Sequence, residues 1–130
     1  MLTGGCFCEA IRYEVSGEPF NATACHCSDC RRITAAPFVA WFSVTASGFR
    51  FILGEPRHFA SSAVAVRSFC LGCGTPLTFK HEDWPGEVDI TTCSLDHPEL
   101  VPPRDHVRTA GQLPWVHMAD GLRTHPGARP

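Results

Sequence analysis

The sequence predicts an all-β domain, a small β-sandwich or set of folded sheets with at most short helical turns. Apolar and polar residues alternate over short stretches, turn residues interrupt the chain at regular intervals, and no segment sustains the 3.6-residue period of an amphipathic helix.

Taken in order, Ile11, Tyr13 and Val15 alternate with Arg12 and Glu14, the period of a half-buried strand over 10–15. Ser16-Gly17-Glu18-Pro19 turns the chain, and residues 20–24 form a second short strand that ends at Cys25. Residues 31–36 have room for about one helical turn before Pro37 stops it. Residues 38–44 are apolar and aromatic, too short for a typical helix and suited to a buried strand. A turn at 45–48 leads to a strand over 49–53, closed by Gly54-Glu55-Pro56. Two further strands, 57–62 and 64–69, are joined tightly through Ser62-Ala63, and the second delivers the chain to Cys70.

Residues 76–80 leave that cysteine segment as a strand. Trp84-Pro85-Gly86 turns the chain into 87–93, where Val88 and Ile90 alternate with acidic residues. Pro98, Pro102 and Pro103 exclude regular structure before His106, and the polar tail from about residue 116 is expected to be loosely ordered. With no linker, repeat or low-complexity block, residues 1–130 are expected to form one domain around one core.

Net charge is −2 and 18% of residues are charged, which gives no basis for nucleic-acid binding or a polybasic membrane patch. No apolar run approaches a membrane span, and Met1-Leu2-Thr3-Gly4-Gly5 leads directly into Cys6 without a secretory h-region, so a soluble cytoplasmic protein is expected. In that compartment eight cysteines read as metal ligands before disulfides, and cysteines one or two residues apart are poor disulfide partners for each other.

Cys70-Leu71-Gly72-Cys73-Gly74 has the shape of a zinc knuckle: two thiols face one metal and the glycines permit the tight backbone. Two thiolates are half of a tetrahedral site, and Cys6 and Cys8 are the spare pair that completes it. The result is a closed, structural Zn2+ site that contributes directly to folding. Cys25, Cys27 and Cys30 remain, in C-x-C-x2-C spacing, as three ligands for a second Zn2+. Three protein ligands with an exchangeable fourth position make a catalytic site. A zinc carrying three thiolates is a weak Lewis acid toward water but holds a further thiol as thiolate, which favours thiol chemistry over hydrolysis. Spacing alone leaves open whether Cys93, His26 or His97 closes this site as a second structural one. The iron–sulfur alternative lacks the cysteine spacing of bacterial clusters. Arg31 and Arg32 are candidates to clamp a substrate carboxylate, and His97 is a weaker candidate for a general base.

The run G-G-C-F-C-E-A-I-R-Y (4–13), the segment C-H-C-S-D-C-R-R-I-T-A-A-P-F (25–38), the knuckle F-C-L-G-C-G-T-P-L (69–77) and S-L-D-H-P (94–98) occur in one order. Together they resemble the glutathione-dependent formaldehyde-activating enzyme family. The resemblance implies an all-β fold, a structural zinc on Cys6, Cys8, Cys70 and Cys73, and a catalytic zinc on Cys25, Cys27 and Cys30. It implies carbon–sulfur lyase or synthase activity on a small thiol–aldehyde adduct, glutathione and formaldehyde joined as S-hydroxymethylglutathione or the reverse. In such a site a backbone donor or His26 would stabilise a developing alkoxide, and Arg31 or Arg32 would bind a carboxylate. Two of the family's usual glycines are replaced, by Glu9 after the first C-x-C and by Ala35 before the A-P-F run. The alternatives are a non-catalytic zinc-stabilised binding module and a zinc carrier or thiol redox sensor.

Overall fold

A computed structural model describes residues 1–130. The strands are β1 (Leu2–Gly5), β2 (Arg12–Val15), β3 (Phe20–Cys25), β4 (Val39–Thr45), β5 (Phe49–Leu53), β6 (Arg57–Ala60), β7 (Ala65–Phe69), β8 (Pro76–His81), β9 (Glu87–Thr91), β10 (Asp105–Val107) and β11 (Arg123–Thr124). One helix, α1 (Ser28–Thr34), and four single turns of 3-10 helix complete the chain. The all-β expectation holds.

The strands form two sheets: a three-stranded sheet in the order β1-β2-β5, and an eight-stranded sheet in the order β11-β10-β3-β4-β9-β8-β7-β6. Their facing sides enclose the main core, which includes Tyr13, Val15, Phe42, Val44, Leu77, Val88 and Ile90. Val88 and Ile90 thus turn inward, as their alternation with acidic residues requires.

The opposite face of the larger sheet follows from its register. Thr23 pairs with Trp41, Ser43 with Asp89, Asp89 with Phe79, and Phe79 with Arg67, so these side chains share the face away from the core. One sheet therefore serves a core on one side and a polar, aromatic floor on the other.

Several features depart from the sequence expectation, among them a single 3-10 turn over Pro98–Leu100, where the prolines predict no regular structure. β1 carries no strand signal, since two of the four residues of its LTGG sequence are glycines, which strands disfavour, and Thr3 is its one β-former. Gly4 is required there because a Cβ would collide with the Tyr13 hydroxyl and the Ser94 carbonyl. The helix begins at Ser28 rather than 31, because the Cys27 side chain caps it by accepting from the Cys30 N–H at 3.3 Å. It ends at Ala35 in the left-handed conformation, before Pro37 can act.

The tail is not loose. β11 adds to β10 in parallel, and the Arg129 guanidinium forks onto Asp105, Nε donating at 2.6 Å and Nη2 at 2.7 Å. A charge-assisted, bidentate pair to a carboxylate that is 8% exposed anchors a segment whose composition is polar.

Candidate metal centres and the cavity beside one of them

The Cys6–Cys8 loop is held by short backbone bonds, the Cys6 N–H to the Ile11 carbonyl and the Glu9 N–H to the Cys6 carbonyl, each at 3.1 Å. The Cys70–Cys73 knuckle closes when the Gly74 N–H reaches the Cys70 carbonyl at 2.8 Å, with Gly74 at φ +82°. The Phe7 N–H donates to the Thr75 hydroxyl at 3.0 Å and ties the two loops together. All four sulfurs lie within 4.8 Å of one another. Cys6 and Cys8 Sγ are 3.6 Å apart, and Cys8 and Cys70 Sγ 3.7 Å. A tetrahedral zinc with Zn–S bonds of about 2.3 Å spaces its sulfurs by about 3.8 Å, so the donor set fits that ion. The Thr75 hydroxyl and N–H hold the Cys73 thiol down to about 5.

The second cluster comes from one continuous segment. Cys25 ends β3, Cys27 caps α1 and Cys30 lies in its first turn, and their sulfurs also fall within 4.8 Å of one another. Cys27 is held lowest of the three, first by Cys25 and Cys30 and then by the N–H groups of Cys30 and Asp29. No histidine, carboxylate or further cysteine joins this trio. Cys93 is exposed and apart from both clusters, and His97 is an exposed residue paired with Glu99 at 3.3 Å.

The proposed substrate residues are not brought to an open wall. His26 is fully buried, stacks on Phe38 with ring centres 5.1 Å apart and hydrogen-bonds through Nε2 to His106 Nδ1 at 2.9 Å. His106 Nε2 in turn meets Asp120 at 2.8 Å. An ionised Asp120 only accepts, so His106 Nε2 donates to it, and His106 Nδ1 accepts from His26 Nε2. Burial and then His106 lower the His26 pKa, consistent with a neutral ring. Arg31 and Arg32 lie on α1, and neither lines the cavity beside the trio. The clamp and alkoxide roles expected of these three residues have no geometric support.

That cavity has a volume of about 740 Å³. Cys25, Cys27 and Cys30 form one part of its lining, while Trp41, Ser43, Arg67, Phe79 and Asp89 supply the sheet floor. Burial pushes the Asp89 carboxyl above its ordinary value, opposed by the Ser43 hydroxyl, which donates to it at 2.5 Å. The floor residues carried no motif. Their only sequence signal was strand alternation, which marked Glu87 and Asp89 as facing away from the core without revealing a cavity there.

Two thiol clusters, each able to hold a metal ion, sit on a small β-fold, one of them beside a cavity. The model of the glutathione-dependent formaldehyde-activating enzymes matches residues 1–111, and the chain belongs to that family. An uncharacterized lyase of Schizosaccharomyces pombe is 37% identical over 78 residues, 60% of this chain and 56% of that relative, so the match spans little more than half of its length. A putative glutathione-dependent formaldehyde-activating enzyme of Halomonas elongata is 24% identical over 128 residues, 91% of this chain and 81% of that one. The crystal structure of a Rhodobacter sphaeroides protein superposes with a TM-score of 0.62 at 21% identity, covering 95% of this chain and 98% of that one, and shares the fold.

Proposed function

We propose that the chain is a zinc-dependent carbon–sulfur lyase or synthase that joins a thiol to an aldehyde, glutathione and formaldehyde being the pair its family favours. The observation that carries this reading is the thiol trio, which no fourth protein ligand joins and which lies on a cavity wall. Cys6, Cys8, Cys70 and Cys73 hold a structural zinc in this reading, and Cys25, Cys27 and Cys30 hold the second. Bound there, zinc supplies a position that keeps a substrate sulfur as thiolate at neutral pH.

The chain's own contribution is proton handling and enclosure. In the cleavage direction the hydroxyl of a hydroxymethyl thioether loses its proton to the Asp89 carboxylate, the carbonyl forms, and the carbon–sulfur electron pair leaves with sulfur. In synthesis Asp89 returns that proton to the oxygen. The reaction is redox-neutral and needs no further reactant. Ser43 orients the carboxyl group, and Trp41 and Phe79 form apolar parts of the floor.

Proton exchange spectroscopy on glutathione, formaldehyde and the zinc-loaded protein tests the proposal. Exchange between free and hydroxymethylated glutathione should accelerate in proportion to protein concentration. An exchange rate equal to that of the buffer removes this substrate pair.

A further inference from the structure

Arg67 lies on the sheet floor in β7, only 9% exposed, with its guanidinium carbon 4.6 Å from the centre of the Phe79 ring. The stacking stabilises the cation but leaves its N–H groups to find acceptors around the edge of the plane. They find none at Nη1, which is buried without a partner. The arginine–carboxylate pairs of the chain belong to Arg12, Arg50 and Arg129, and Arg67 is in none of them. Of the other arginines lining this cavity, Arg129 is taken by Asp105 and Asn21, and Arg108 is exposed.

A second donor shares this condition. Trp41 Nε1 is buried without a partner, and Trp41 is 7% exposed. Trp41 and Arg67 are the two residues that line both the large cavity and a second one of about 300 Å³, walled by Ile33, Phe59, Phe69 and Pro76. Two unsatisfied buried donors on one shared wall call for an acceptor that the chain does not supply.

We propose that Arg67 and Trp41 form a carboxylate subsite, the two residues of this chain that recognise the acid group of the substrate. The inference rests on the thiol–aldehyde reading of the cavity. A planar guanidinium edge and an indole N–H are both donors of the kind that carboxylate oxygens accept from. Among the other charged groups of the lining, Asp29, Glu87 and Asp89 repel an anion, Arg129 already has its acceptors, and Arg108 is exposed to solvent, so Arg67 is the buried cation without an acceptor.

The probe is S-methylglutathione, which keeps both carboxylates but has no free thiol, titrated into the zinc-loaded protein beside its diethyl ester. The wild type should bind the acid at least about tenfold more tightly than the ester, the usual worth of hydrogen bonds to a charged group. Arg67→Gln should remove that preference and leave ester affinity unchanged. Equal binding of acid and ester by the wild type overturns the subsite, as does failure of the acid to bind, and neither outcome depends on the variant folding. Unchanged acid preference in a folded Arg67→Gln protein overturns it as well. Acid-selective binding without formaldehyde exchange overturns the lyase reading and leaves the subsite standing.

Discussion

The two thiol clusters have similar chemistry and opposite relations to the fold. Cys6 and Cys70 are buried members of the main core, and the four sulfurs join loops that lie 62 residues apart at the Cys8–Cys70 contact. Cys25, Cys27 and Cys30 come from a single segment and pack with Val39 and Trp41 in a separate small cluster. A metal bound by the first cluster would close a long loop through the core and hold the two sheets together, whereas one bound by the second would close a six-residue segment and order little beyond it. The same ligand type is therefore expected to carry stability in one place and chemistry in the other.

The largest effect should come from breaking the first cluster. Cys70→Ala removes one of the four sulfurs that would hold the proposed structural zinc and leaves a hole in the core, where Cys70 is 2% exposed. Structural zinc contributes roughly 10 kcal/mol or more, which exceeds the stability of most small domains. Circular dichroism during heating should show no cooperative transition, and a chelator should do the same to the wild type.

Cys27→Ser reverses the pattern. Cooperative unfolding should persist while metal content falls from two zincs to one and exchange activity drops by about a thousandfold or more. Loss of the fold in this variant would erase the contrast, since the trio would then be structural too.

Asp89→Asn sharpens the comparison on the cavity side alone. Removing the proton acceptor should lower kcat by about 10²- to 10³-fold with both zincs retained. The wild-type cleavage rate should rise with pH through a pKa above the ordinary carboxylate value, and the variant should lose that limb. The stability sign is opposite. A carboxyl group whose folded pKa is raised contributes stability below its unfolded pKa and loses it as pH rises through the folded value, so at neutral pH the uncharged Asn should be at least as stable. Chemical denaturation at low and neutral pH measures both arms.

The strands and the grouping of the thiols were legible from local pattern, alternation for Ile11, Tyr13 and Val15 and short gaps within each cysteine motif, with Cys6/Cys8 matched to Cys70/Cys73 as the spare pair. Spacing left open whether a fourth residue joins the trio, and only the fold shows that none does. The cavity was not legible. Arg67, Trp41, Ser43 and Asp89 come from three strands, and only the register of β4, β7 and β9 about β8 sets them on one face. Arg31 and Arg32 were favoured by nearness in sequence to Cys30, but the turn of α1 carries them away from the cavity wall. Local sequence likewise carried no sign that Asp120 closes a chain through His106 to His26, since the three residues meet only when β10 joins β3 in parallel.

The smallest expected effect compares the clusters on equal terms. Each is followed by one non-glycine residue in the left-handed region, Glu9 at φ 66° after Cys8 and Ala35 at φ 52° at the end of the helix that carries Cys30. At both positions the backbone holds a conformation that a side chain disfavours. Left-handed geometry costs an L-residue roughly 1–2 kcal/mol, and glycine gives back up to about 1 kcal/mol through its freer unfolded chain. Glu9→Gly and Ala35→Gly should therefore each stabilise the protein by up to about 1 kcal/mol, read as a rise in the midpoint of thermal unfolding. Glu9→Gly should also slow zinc loss to a chelator in step with global stability, because its loop belongs to the cluster that holds the core. Ala35→Gly should raise the midpoint without slowing zinc release from the trio, whose segment opens locally.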